Sequence, residues 1–139
     1  MHLTSKAYAV LAIALIATAP ALAATTPAVT ASLVNAAKAD LVPVAKLTSM
    51  VGVWSSADLG KFDKAKSIKV LDTRMLYQAT DLKKIATVET SKASDLTKIR
   101  AAIRSDAGLD AWFASNKLDV NRVIAVLVPA AGVPEIVLY

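Results

Sequence analysis

The apolar run Ala7–Ala19 constrains this chain more than any other feature, because it withdraws the first 23 residues from whatever folds. Lys6 supplies a positive start, the run itself a signal core, and Pro20 breaks any helix through its missing N–H and its clash with the preceding turn. Ala21-Leu22-Ala23 then offers small residues at both positions a signal peptidase must accommodate, which predicts cleavage after Ala23. The competing reading is an uncleaved anchor, but the run stops short of the roughly 20 apolar residues a membrane span needs. The chain has no cysteine for a lipobox and no twin arginine. The expectation is therefore export by the general secretory route to a periplasmic or secreted location, with no membrane span after cleavage.

Residues 24–139 make one domain and are too few for two well-packed ones. Small exported domains often strengthen thin cores with disulfides. This chain cannot, so packing or a partner must supply its stability. The only histidine, His2, departs with the signal peptide. A mature chain without His or Cys excludes Ser-His-Asp and Cys-His catalysis, thiol redox chemistry and ordinary zinc, copper or haem sites. Its four glycines are isolated, so neither a P-loop nor a dinucleotide fingerprint can be drawn, and no cofactor is expected. No Asp-x-Asp-x-Asp-Gly calcium loop occurs, and Ser67-Ile68-Lys69 is better read as one exposed strand face than as a catalytic dyad.

Carboxylates are the remaining chemistry. Asp72, Asp81, Glu89, Asp106, Asp110, Asp119 and Glu135 are candidates, and a hydrolase would need two of them in different environments facing one cleft. Asp106 and Asp110 lie one helical turn apart, yet Asp106 is better explained as a helix cap.

Along the chain, residues 24–66 read as a flexible or helical leader and connector, and residues 67–139 as a small α+β domain. Within the leader, residues 32–40 could be helical, and Leu47, Met50, Val51 and Trp54 form one helical face begun after Pro43 and interrupted by Gly52. Residues 55–66 look like a polar connector. Residues 67–73, rich in β-branched side chains, predict the first strand. Three helices follow, capped at Thr80, at Ser94 or Asp95, and at Asp106, with Leu82, Ile85 and Val88, then Leu96, Ile99 and Ile103, then Leu109, Trp112 and Phe113 facing inward. Residues 122–128 predict a nearly continuous apolar strand, either buried on both faces or central. Residues 134–139 return as a second strand whose leading Pro134 suits a strand start or an edge. The expected domain is β-α-α-α-β-β, with helices on one side of a two- or three-stranded sheet.

The pattern Leu96-x-x-Ile99-Arg100-Ala101-Ala102-Ile103, Leu109-x-x-Trp112-Phe113 and Leu118-Asp119-Val120-Asn121-Arg122-Val123-Ile124-Ala125-Val126 resembles a type of small exported bacterial protein with no assigned activity. Such proteins show Asn-Pro where this chain has Asp106-Ala107. The resemblance covers about half of the chain and implies a packing scheme, with no catalytic residue.

Two binding surfaces follow from this reading. Lys61, Lys64, Lys66 and Lys69 form a basic connector that could meet an anionic envelope lipid or polysaccharide, or simply be solvated. Phe62 alone interleaves them, so stacking on nucleic acid is not expected. Ile136, Leu138 and Tyr139 form a candidate strand-addition edge for an envelope protein; alternatively they complete a hairpin core. The leading expectation is a non-enzymatic envelope interaction or structural module.

Overall fold

A computed structural model describes residues 28–139, so the expected signal peptide lies outside the described residues. The elements are β1 (Ser32–Asn35), α1 (Val44–Met50), α2 (Ser56–Asp63), β2 (Ser67–Asp72), α3 (Thr73–Leu76), α4 (Ala79–Ser91), α5 (Ala93–Ser105), α6 (Ala107–Ser115), β3 (Val123–Leu127) and β4 (Glu135–Leu138). Short 3-10 turns at Lys38–Asp40 and Val120–Arg122 complete the order. This is an α+β fold.

The sheet has four strands in the order β1-β2-β4-β3, where two or three were expected. β1, β2 and β4 run parallel, and β3 runs antiparallel to β4. On β2, Val70 and Leu71 point to opposite faces and both are buried; on β4, Ile136 and Val137 repeat the pattern. Both faces of the sheet are therefore covered, which corrects the expectation of helices on one side. All five residues of β3 are buried, as its unbroken apolar sequence implies, although β3 lies at an edge rather than in the centre.

The expected leader belongs to this fold. Ala31, Leu47, Val51, Leu59 and Phe62 join the same core as Ile99, Phe113 and Ile136. Residues 32–35 form a strand instead of the expected helix, and the polar connector contains α2, capped by Ser55 accepting from the Asp58 N–H. No apolar periodicity announces β1. It exists because β2 offers it a parallel partner, with Ser32 N–H donating to the Lys66 carbonyl and Ala36 N–H to that of Val70. The buried Trp112 Nε1 also donates to the Ala31 carbonyl at 2.7 Å, tying the start of β1 to α6.

Local signals account for the other helices. Asp72 ends β2 and caps α3 by accepting from the Arg74 N–H; α3 was not foreseen, because Thr73 reads as the end of the strand and the four-residue helix is too short to show a period of its own. The cap at Asp106 is as expected, accepting from the Leu109 N–H. α4 and α5 start at least two residues earlier than expected, at Ala79 and Ala93, without side-chain caps. Gly52 ends the α1 segment at φ +75°, a conformation that suits glycine. Its N–H donates to the Ile124 carbonyl at the irregularity where β3 shifts register against β4.

Candidate functional site

The two edges of the sheet are treated differently. At the β3 edge, Gly52 N–H caps the Ile124 carbonyl and Arg100 Nε donates to the Val123 carbonyl at 3.0 Å. At the β1 edge, Ser32 and Ala36 bond inward to β2, so strand alternation turns the N–H and C=O groups of Leu33 and Asn35 outward. No hydrogen bond reaches those groups among the described residues. Residues 28–37 carry no charge and no proline, the usual devices that protect a free edge. Val34 is 42% exposed and Met75, in α3, 80% exposed. A hollow of about 250 Å³ beside the edge is lined by Asn35, Ala36, Val70, Asp72, Met75 and Leu76.

The expected strand-addition edge is not where the sequence put it. β4 is paired on both sides, by β2 and β3, so Ile136, Leu138 and Tyr139 offer no free edge. Ile136 and Leu138 are buried, and the Leu138 carbonyl accepts from the buried Thr73 Oγ1 at 2.7 Å. Tyr139 donates its N–H to the Arg122 carbonyl and lies under the Arg74 guanidinium, 4.8 Å from the ring centroid. Pro134 marks the start of β4, not an edge; its carbonyl accepts from the Lys69 N–H.

The four lysines do not act as one set. Lys61, Lys64 and Lys66 are exposed around the end of α2. Lys69 instead lies on β2, half-buried, with Nζ donating to Asp40 at 2.9 Å. Two hydrogen bonds, from the Ala37 N–H and from Lys69, hold the Asp40 carboxyl below the usual carboxylate range, and the same pairing raises Lys69. Glu135 sits opposite Lys69 in register, and burial raises its pKa; its Oε1 is shielded from water without a donor. Beside this group an open groove of about 570 Å³ is lined by Leu41, Val42, Pro43, Leu76, Tyr77 and Asp81 among others. The Tyr77 hydroxyl is committed to the Val42 carbonyl at 2.6 Å.

A carboxylate pair that sequence reasoning missed lies elsewhere. Asp63, at the end of α2, lies beside Asp106, the cap of α6, in one cleft. Burial, then the hydrogen bond and the charge of Asp106, push the Asp63 carboxyl up to about 6. Its Oδ1 is buried and receives no N–H or hydroxyl donor. Two neighbouring carboxylates repel when both are ionised, which adds to burial in keeping the proton on Asp63 above the ordinary carboxylate range. They face a cleft of about 370 Å³ whose other lining residues include Trp54, Leu59, Gly60 and Ser105. The Asp106–Asp110 spacing brings no second carboxylate into this cleft. No local motif could have revealed the pair, since α2 and α6 meet only in the fold.

No group of three or more His, Cys, Asp or Glu residues is arranged to hold a metal among the described residues, and none of their helices is long and apolar enough to cross a membrane. Comparison of the chain with family models, curated proteins and solved structures finds no match.

Proposed function

We propose that this chain is an exported, non-enzymatic interaction module that takes up an extended segment of another envelope protein along β1. The uncharged, outward-facing edge at Leu33 and Asn35 carries this reading. An added strand would satisfy those backbone groups, while Val34 and the hollow beside Met75 would receive alternate side chains. The contrast with the capped β3 edge supports β1 as the docking side.

The experiment places a photo-crosslinking residue at Val34 of the exported chain and maps the adduct by mass spectrometry. The Asn35→Pro variant removes an outward N–H without touching the bonds to β2. The expected result is a discrete protein adduct that disappears in Asn35→Pro while circular dichroism stays unchanged. No adduct, or one indifferent to that substitution, overturns the reading. Turnover of an ester, peptide or glycoside by the purified chain would overturn its non-enzymatic part.

A second reading, a carboxylate-based hydrolase acting on an envelope polymer, draws support from Asp63 and Asp106 sharing one cleft. Carboxyls in contact are closer than the roughly 5–9.5 Å that glycoside hydrolysis uses. The pair therefore suits dyad-type hydrolysis of a peptide bond better. Asp106 also commits an oxygen to the Leu109 N–H, which limits its freedom as a base. Peptide turnover abolished by Asp63→Asn in a folded protein would favour this reading over the first. A third reading keeps Lys61, Lys64 and Lys66 as a patch for anionic lipid or polysaccharide, now without Lys69. Salt-sensitive binding to anionic vesicles, lost when the three are neutralised, would support it.

A further inference from the structure

The cleft between α2 and the α5–α6 corner combines three features with one physical consequence. α2 packs on α6. The ionisable residues facing each other across the contact are Asp63 from α2 and Asp106 from the corner, and the remaining lining residues, Trp54, Ser56, Leu59, Gly60, Ala102 and Ser105, carry no charge. Asp63 Oδ1 is closed off from water without a donor. Lys64, the next residue after α2, is a cation whose charge opposes the rise at Asp63, and it is exposed to solvent.

We propose that this cleft is a proton-operated joint, in which one proton shared by Asp63 and Asp106 tightens the hold of α2 on α6 and its loss loosens that hold, while Leu59 and Phe62 keep α2 in the core. With the proton present, one carboxyl donates to the other and α2 is bonded to the cap of α6. Without it, two negative charges meet where the surrounding groups are apolar or uncharged, and separating them relieves both repulsion and desolvation. The joint loosens as pH rises through the region of 6, where the Asp63 carboxyl loses its proton. Trp54 lines the cleft and reports on it, whereas Trp112 is buried in the core and serves as an internal control. The inference does not depend on binding at β1; loss of a β1 adduct would leave the titration in place.

The test labels both tryptophans with fluorine and follows their resonances from pH 4.5 to 8, with amide exchange of α2 measured in parallel. The Trp54 signal is expected to move with a midpoint near 6 while that of Trp112 stays fixed. Exchange within α2, corrected for its intrinsic pH dependence, should quicken on the order of tenfold across the transition relative to α5. Asp63→Asn still donates to Asp106 but cannot ionise, so its Trp54 signal should hold the low-pH position throughout. Asp106→Asn keeps the capping ability but removes the second charge, so the Trp54 midpoint should move to lower pH. A Trp54 signal that is flat in the parent, or that titrates unchanged in both folded variants, overturns the proposal.

Discussion

The Nη2 of Arg122 donates to both carboxylate oxygens of Asp72, each at 2.9 Å, and so joins the end of β2 to the approach of β3 across the intervening β4. Its Nε also donates to the Tyr139 carbonyl at 3.2 Å, and the Tyr139 N–H returns a bond to the Arg122 carbonyl. One side chain thus fixes three strand ends. The same Asp72 caps α3, so the sheet and the first helix after it share an anchor.

Arg122→Ala should destabilise the fold by about 1–2 kcal/mol, as a partly exposed charge-assisted pair with a further carbonyl bond implies. Arg122→Lys should recover little of the loss, because an ammonium cannot serve both the carboxylate and the Tyr139 carbonyl. Urea denaturation midpoints check both.

Trp112→Phe removes the only donor to the buried Ala31 carbonyl among the described residues while keeping an aromatic ring. The expected cost is about 1–3 kcal/mol. The loss should appear first in β1, as faster exchange of the Ser32, Val34 and Ala36 amides that bond to β2. Uniformly faster exchange over the whole sheet would contradict a local tether.

Gly52→Ala faces two penalties at once. The residue sits at φ +75°, and an added Cβ would lie 2.9 Å from the Asp95 Cβ, an atom fixed to the backbone of α5. A loss of about 1–3 kcal/mol is expected, with disturbance of the Gly52–Ile124 bond. A melting temperature equal to that of the parent would show that α1 and α5 part easily.

The Asp40–Lys69 pair predicts stability with two limits in pH. Asp40 has its folded pKa depressed, so its contribution is present above the unfolded value of 3.8 and is lost as pH falls through the lower folded value. Lys69 has its folded pKa raised, so its contribution is full below 10.5 and is lost as pH rises through the higher folded value. The gap in urea midpoint between parent and Asp40→Asn should therefore be open at pH 7 and close in strong acid. A gap of constant size would show that Asp40 acts through packing alone.

The local chemistry of the chain was enough to locate several elements. β-branched and apolar runs marked β2, β3 and β4, most plainly β3, whose burial at every residue leaves no polar position. Spaced apolar residues marked α4, α5 and α6, and Asp106 announced its helix because a carboxylate before an apolar turn satisfies the orphan N–H groups there. β1 was illegible: Ser32-Leu33-Val34-Asn35 has no strong preference of its own and becomes a strand only through β2 and Trp112.

The sequence by itself determined where most helices and strands lie, since these depend on residue type and short-range periodicity. Only the tertiary structure decided the order of the strands, and with it which edge is left unpaired among the described residues. Strand order is set by how crossovers pack, so Tyr139's strand became an interior one and Leu33's the exposed one. It also brought Asp63 beside Asp106, a contact made by two helices meeting through the core rather than by any spacing along the chain.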